Sequence, residues 1–396
     1  MYKSIQPHIF MIVFLLFAGC SMPKGPVPHS GEAPEAEGWE AEVILTGLVH
    51  PWSMAWLPDT DMDMLITERV GRLRVVQNGE LQPRTISGLP QIFVSGQGGL
   101  LDITLHPEFE ENRLVYLAYS SGDDDTNRTT VGRGILDGYE LLEFEEIFRV
   151  SDDKSGDQHF GSRMLWVSDN TFLLTVGDGG NYKRYDGGWI RDQAQNPAIH
   201  LGKVLKLAED GEPVPDGPFL DDVNALPEIW SLGHRNIQGL ARDPDSGRIW
   251  ANEHGSRGGD ELNLLKAGAN YGWPEVTYSL EYHYLRISDK TTKPGMEDPK
   301  VVWTPAQAPS GLTFYTGGQF PEWQGDLFSG GLQGEQVRRI MLDGESVIGE
   351  ESITIGQRVR DVRQGPDGYL YVLTDHEDGQ LIRLVPSSGR LNMSVE

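Results

Sequence analysis

The chain has 396 residues, with 33 Lys+Arg against 59 Asp+Glu, and therefore a formal net charge of −26. That excess of acid excludes a nucleic-acid binder, whose phosphate contacts need a basic face. The 38% hydrophobic and 23% charged composition excludes a disordered chain. Glycine (48) and proline (24) together reach about 18% of the residues, above the roughly 12% of ordinary usage and without a collagen period, which points to many tight turns and hence many short strands.

In chain order, Lys3 precedes the apolar run Ile9 to Ala18, which ends in Gly19-Cys20. The run is too short to span a bilayer and has the layout of an export signal over residues 1–19. Leu16-Phe17-Ala18-Gly19-Cys20 resembles a bacterial lipobox, which implies an exported, periplasmic protein held to the membrane by a lipid on Cys20. Phe17 stands where leucine is usual, so plain cleavage by the general signal peptidase stays open. Cys20 is the sole cysteine, so the fold must rest on its own core or on metal ions rather than on disulfides. Residues 20–40 are rich in Pro and Glu without apolar periodicity and read as a flexible tether. A propeller domain is expected over 41–386, followed by a tail over 387–396.

From there on, short alternating or fully apolar runs are bounded by Gly, Asp, Asn and Pro, and no long 3.6-residue period occurs. The fold class is all-β. Eight Asp-Gly pairs and Asn78-Gly79 supply the positive-φ turns that two-residue hairpins need. A unit of apolar strand, turn, apolar strand and polar end recurs six times, at Ser53 to Glu68, Leu100 to Ser120, Ser162 to Asp178, Gly239 to Glu253, Gly311 to Ser329 and Val362 to Asp375. One hairpin cannot bury its own apolar face, so the copies must stack, and radial stacking predicts a six-bladed β-propeller of four-stranded antiparallel blades. A pair of β-sandwiches is the competing architecture, but it does not require one hairpin repeated six times. The strand Glu42 to Leu48 stands outside the count and is expected to pair beside Gln380 to Val385 and close the ring.

In a propeller, chemistry collects in the loops at the ends of the innermost strands. The polar clusters there are Gly96 to Gly99, Asp157 to Arg163, Gly177 to Gly180, Gly233 to Asn236, Glu253 to Glu261 and Arg358 to Asp361. Each has a bland reading by itself: a lone histidine before a strand is usually a satisfied surface residue, and Arg358 and Arg360, on one face of a strand, compete with ordinary salt bridges. Gly258-Gly259-Asp260-Glu261 reads equally as a solvated turn, and Asp123-Asp124-Asp125 lacks the EF-hand spacing and reads as solvated. Their combination points further. Arg235, Arg358 and Arg360, at the ends of different blades in a strongly acidic chain, define a site for an anionic group, with His159 beside it as a candidate general base. Asp260 and Glu261, in a glycine-rich loop, are oxygen ligands of the kind calcium takes.

The chain resembles the soluble aldose and glucose dehydrogenases that use pyrroloquinoline quinone (PQQ), from about Val43 to Leu384. The motifs that carry the resemblance are GQGGLLDITLHPEF (96–109), HFGSRM (159–164) with LLTVGDGG (173–180), AQNPAIHLGKVLKL (194–207), SLGHRNIQGLA (231–241), EHGSRGGDELNLL (253–265) with GANYGWP (268–274), and RVRDV (358–362) with GPDGYLYVLTD (365–375). The resemblance implies oxidation of an aldose sugar at C1 to a lactone, with hydride transfer to PQQ. His159 would be the base, Asp178 its orienting carboxylate and Arg235 the group that polarises the quinone oxygen. Gln97, Asn236, Arg358 and Arg360 match PQQ-binding positions. The carbonyls of Gly255 and Ser256 match ligands of a catalytic Ca²⁺, and Glu261 with the Tyr271 carbonyl matches a second, structural calcium site. A quinone or protein would accept the electrons, and the protein would be a monomer or homodimer. Two departures stand out: Gln333 replaces a lysine that contacts PQQ, which implies weaker cofactor affinity unless Arg338 or Arg339 faces the channel, and Ser256 replaces a common proline. A calcium-dependent propeller lactonase or esterase would explain the acids and His159 but not three convergent arginines; a non-catalytic sugar- or partner-binding propeller is the third reading.

Overall fold

A computed structural model describes residues 27–58, 60, 62–180 and 182–387. The export signal and Cys20 lie outside the described residues, as does the tail from 388 onward. The architecture is the expected one: six four-stranded antiparallel blades in chain order, broken by a few short helical turns. Their innermost strands are Pro51–Trp56, Leu100–Leu105, Met164–Ser168, Ile237–Arg242, Pro309–Phe314 and Val359–Gln364, each paired with the next strand in sequence. These two inner strands of each blade are the repeated hairpin read from the sequence.

Burial explains the composition of each layer. The second strands are closed in on both faces, as in Leu370–Thr374, where every residue is buried, so they tend to near-continuous apolar runs, while inner strands such as Val359–Gln364 mix apolar residues with Arg360 and Asp361, which border the channel cavities. The outermost strands, such as Glu140–Arg149, are largely exposed and carry the charge. Neighbouring blades pack face to face through mixed aliphatic and aromatic clusters; the clusters around Leu65, Leu100 and Val115 and around Tyr315, Trp323 and Val372 are two of them. Each fully buried side chain of this size contributes roughly 1.5–3 kcal/mol.

The ring closes as expected. Trp39–Leu48 lies antiparallel to Gly379–Pro386, Val43 facing Ile382, and supplies the outer strand of the sixth blade, so no inner strand is left as an open edge. The preceding stretch corrects one expectation. The tether predicted over 20–40 is, from residue 27 on, laid against the propeller: His29–Ser30 pairs in parallel with Val302–Trp303 of the fourth blade, the Ala36 N–H donates to the Ser352 carbonyl (2.7 Å), and the Glu35 carboxylate accepts from Thr354. Backbone pairing outweighs the low apolar content of this segment.

The Asp-Gly pairs divide. Asp137-Gly138, Asp186-Gly187 and Asp343-Gly344 are hairpin turns between paired strands. Asp178-Gly179 is not; it opens a long excursion, residues 177–202, between the second and third strands of blade three. A comparable excursion, residues 266–300, interrupts blade four. Both lead to the site described next.

Candidate active site

The centre is a buried histidine–carboxylate pair. His159 Nδ1 lies 2.5 Å from Asp178 Oδ1, with the two residues 3% and 0% exposed. Asp178 also accepts from the indole Nε1 of Trp273 (2.8 Å) and from the Gly180 N–H (2.9 Å). Burial opposes its charge, but the imidazole, Arg235 and the Gly180 N–H hold the carboxyl below its usual range. An ionised Asp178 fixes the proton on Nδ1, so Nε2, which makes no hydrogen bond among the described residues, is the basic atom. Burial, then Arg235, lower the His159 pKa against the pull of Asp178, and Lys154 adds to the lowering; the imidazole is neutral at pH 7. His159 sits at φ +51, a left-handed conformation costly for a side-chain-bearing residue and found where a site demands it. The Gln97 side-chain oxygen holds its N–H (2.8 Å). Gly177 must be glycine, because a Cβ there would lie 2.1 Å from the His159 carbonyl oxygen.

Beside this pair a cavity of about 230 Å³ opens at one mouth of the channel, lined by Trp52, Gln97, Leu101, Phe160, Gly161, Gln238, His254, Ala308, Leu332, Arg358 and Arg360. Arg360 Nη2 is fixed by Asp375 (2.7 Å) and Arg358 stands half-exposed, 3.9 Å from the same carboxylate. Asn236 orients by accepting from the Gly161 N–H (3.2 Å), and its Nδ2 is buried with no hydrogen-bond acceptor among the described residues. Arg235 is 2% exposed; one nitrogen donates to the His254 carbonyl (3.2 Å), while Nε and Nη2 have no partner of that kind. Buried donors left over beside a cavity suit an acceptor-rich ligand. Arg235 itself lines the adjoining small cavity, with His254 forming the wall common to both.

That second cavity is bordered by Glu253, Gly255, Gly259, Glu261 and Tyr271. Glu253 is satisfied by His234, Asn263 and the Arg235 N–H. Among the described residues Glu261 accepts a hydrogen bond from Asn263 Nδ2 alone (3.2 Å), and burial beside Glu253 pushes its carboxyl well above the usual range. Glu253 and Glu261 face each other across paired strands and are hard oxygen donors of the kind a cation takes, but no group of three or more His, Cys, Asp or Glu side chains is arranged for a metal among the described residues. Ser256 does not line the cavity: its N–H donates to Ser279 Oγ (3.1 Å). Asp260 does not face it as a free ligand either; it ties the loop to the next blade by accepting from the N–H groups of Gly255, Gln307 and Ala308, each 2.7 Å away, with its pKa raised to about 6 by burial. Burial pushes His254 down to about 3, so it is a neutral wall.

The arginines offered in place of the missing lysine do not reach the channel. Arg338 donates to the Gly31 carbonyl (3.0 Å), and Arg339 pairs with Asp326 (2.7 Å) and Glu351 (2.8 Å) on the outer part of blade five. Gln333 is exposed, next to the cavity residue Leu332. Sequence reasoning missed four contributors. Trp273 and Asp375 hold catalytic candidates in place, Trp52 lies under Arg360 (5.9 Å), and Glu253 completes the acidic pair. Trp273 stands in the GANYGWP motif and Asp375 ends the sixth repeat, but a partner's distance is set by which blades meet. Below the cavity, Arg163, Asp102, Asp361 and Arg363 form a buried ionic layer (Arg163 to Asp102 2.9 Å, Arg363 to Asp361 2.8 Å). A larger cavity of about 560 Å³ beyond it, at the opposite mouth, has no histidine in its lining.

A neutral buried base, guanidinium groups and unused buried donors beside two adjoining cavities of a propeller channel define an enzyme-like site suited to an anionic organic group. The comparisons agree. A profile described as Glucose / Sorbosone dehydrogenase matches residues 48–383, and the chain belongs to that family. It is 40% identical over 352 residues to the aldose sugar dehydrogenase YliI of Escherichia coli, covering 87% of this chain and 92% of that one. Among solved structures, the soluble aldose sugar dehydrogenase of E. coli in its apo-form superposes with a TM-score of 0.83 at 39% identity, covering 88% of this chain and all of the other. The PQQ-bound form of an aldose sugar dehydrogenase from Streptomyces coelicolor gives 0.70 at 28%, over 89% of this chain and 100% of that one. The protein is thus an oxidoreductase of the PQQ-type sugar dehydrogenases, which sets aside the lactonase and non-catalytic readings.

Proposed function

We propose that the protein oxidises an aldose at its anomeric carbon to the lactone, with PQQ as the bound cofactor, calcium as its companion ion and His159 as general base. The observation that carries the reading is a buried, Asp178-oriented imidazole, flanked in sequence by cavity residues, together with the unused donors of Arg235 and Asn236 beside two adjoining cavities. Those donors, with Arg358 and Arg360, fit a planar tricarboxylate, and Trp52, Phe160 and Leu332 supply flat apolar walls. When bound, PQQ supplies the two-electron, hydride-accepting chemistry that no side chain possesses. In the reaction Nε2 of His159 takes the C1 hydroxyl proton, and Asp178 stabilises the imidazolium that results. Arg235, desolvated and aimed into the site, stabilises negative charge that develops during hydride transfer. Glu261, Glu253 and neighbouring carbonyls of Gly255 and Tyr271 would hold a calcium ion, which acts as a Lewis acid and offsets the two buried acids.

The electrons would pass to a quinone or a small redox protein. We further propose that the chain is exported and anchored by a lipid on Cys20; metabolic labelling with a fatty acid, lost in Cys20→Ser, tests this. For the activity, apo-protein is titrated with PQQ and Ca²⁺ and given an aldose and a dye acceptor. Bleaching that His159→Ala abolishes is the expected result, and no binding at micromolar PQQ with millimolar Ca²⁺ sinks the reading.

A further inference from the structure

The cavity at the mouth opposite His159 has a charged floor and apolar walls. Its volume of about 560 Å³ lies within the roughly 300–1,000 Å³ of small-molecule sites, and residues of all six innermost strands border it. The floor is the far side of the ionic layer. Asp102 Oδ1 accepts from Arg163 Nη1 (2.9 Å) and Arg363 Nη2 (3.1 Å), and its Oδ2 accepts from the Met164 N–H (2.7 Å). Asp361 Oδ2 accepts from Arg363 Nε (2.8 Å), and its Oδ1 lies 3.3 Å from Arg163 Nη2. Both carboxylates are thus engaged, but the arginines are not used up. Arg163 is 3% exposed, and its Nη2, though ion-paired, is buried without a hydrogen-bond acceptor; Arg363 Nη1 makes no hydrogen bond among the described residues. Arg242 adds a third guanidinium at the wall, with neither hydrogen bond nor ion pair among the described residues.

Three guanidiniums against two carboxylates leave one positive charge over, in a chain of net charge −26. Around that floor stand Met54, Leu240, Leu312 and Phe314, with Trp56 and Trp166, whose indole N–H groups are buried without an acceptor among the described residues. We propose that this cavity is a second ligand site, separate from the one at the His159 mouth, and that it takes a small aromatic carboxylate. The carboxylate meets the free N–H groups of Arg363, with Arg242 alongside, and the ring meets the apolar walls. A single surplus charge fits a monoanion. A dianion would exceed it, and a neutral ligand would leave guanidinium donors unpaired. The ionic layer divides this site from the His159 cavity, so the two fill independently and the second stands whatever is oxidised at the first.

Calorimetric titration of the full protein with benzoate tests this, with benzamide as the neutral isostere and inorganic phosphate as an anion without an apolar body. The expected result is saturable binding of one benzoate, unchanged when PQQ and Ca²⁺ are added, with benzamide and phosphate each about tenfold weaker. Arg242→Gln should weaken benzoate two- to fivefold, the range of an exposed ion pair, and leave benzamide as it was. Arg363→Lys keeps a cation beside Asp361 but loses the guanidinium fork, and should weaken benzoate about tenfold. No saturable binding of benzoate overturns the site and leaves the dehydrogenase reading untouched. Displacement of benzoate by PQQ, or binding lost in Arg358→Gln but kept in Arg242→Gln, puts the anion in the His159 cavity and overturns the site too. Equal affinity for benzoate and benzamide removes the guanidiniums from the recognition, phosphate binding as tight as benzoate removes the apolar walls, and either result overturns the proposal.

Discussion

Asp178 accepts three hydrogen bonds, and one of them, at 2.5 Å, comes from His159 Nδ1. The carboxylate decides which imidazole nitrogen is basic. Asp178→Asn removes the charge and allows the amide to stabilise the opposite tautomer, so kcat should fall by about 10²–10⁴, with PQQ affinity unchanged. Dye-linked turnover beside a fluorescence titration of PQQ separates the two quantities; a parallel loss of binding would mean that Asp178 shapes the cofactor cavity instead.

The pH dependence follows from the lowered His159 pKa. The base works as neutral imidazole, and its folded pKa is below the ordinary value because of burial and Arg235, with a contribution from Lys154. The acid limb of kcat/KM should therefore lie below about 6.5. Lys154 is buried against the Phe160 ring, 3.6 Å from its centre, and itself lowered to about 7 by burial. Lys154→Met takes away a cation, so the limb should move toward higher pH. A profile between pH 4 and 8 that stays in place would show that Lys154 is uncharged when the enzyme works.

Gln333 offers a gain-of-function test. It stands beside Leu332, whose carbonyl accepts from Arg358, and neither Arg338 nor Arg339 substitutes for a cation there. Gln333→Lys should tighten PQQ binding by about tenfold, the lower range for a hydrogen bond to a charged group. A dissociation constant unchanged by the substitution would place position 333 outside the cofactor's reach.

Asp375 links the site to stability. It is 8% exposed and accepts from His50 Nδ1 (2.8 Å) and Arg360 Nη2 (2.7 Å); burial opposes its charge, but Arg360 and these bonds hold its carboxyl well below the usual range. A depressed folded pKa means stability that is present above the unfolded value near 3.9 and lost as pH falls through the folded one. Asp375→Asn should cost on the order of 2 kcal/mol at pH 7 and progressively less below pH 4. Denaturant unfolding of the apo-protein at both pH values reads this directly, and an equal cost at pH 2.5 would contradict it.

Calcium should raise the melting temperature of the wild-type protein, by ligand linkage to the folded state. Glu261→Gln should melt higher than wild type in chelator at pH 7, because a carboxyl whose folded pKa is raised by burial and Glu253 costs stability above its unfolded value, and respond less to calcium. A calcium response equal to that of wild type would move the ion elsewhere.

The blade count was legible because one hairpin pattern repeats, and the residues flanking it led to His159, Asp178 and the arginines. What the pattern could not carry is contact between blades. Trp273 reaches Asp178 across 95 positions, and Asp375 meets His50 across 325; no local periodicity encodes such distances. Residues 27–38 were misread for a related reason. Their order comes from hydrogen bonds to Ser352 and Val302 and not from their own composition. Glu253 reads from the sequence as a strand end, and only the hairpin register, which sets it opposite Glu261, shows the two buried acids side by side.

The ionic layer of Arg163, Asp102, Asp361 and Arg363 lies between the two cavities of the channel, and the candidate chemistry sits on the His159 side alone. On the proposed reaction, sugar and electron acceptor would share that one mouth, so the oxidised sugar would depart before the acceptor approaches and the two half-reactions would alternate there. Steady-state plots of rate against sugar at several acceptor concentrations should then be parallel lines, and high concentrations of either partner should inhibit by blocking the other.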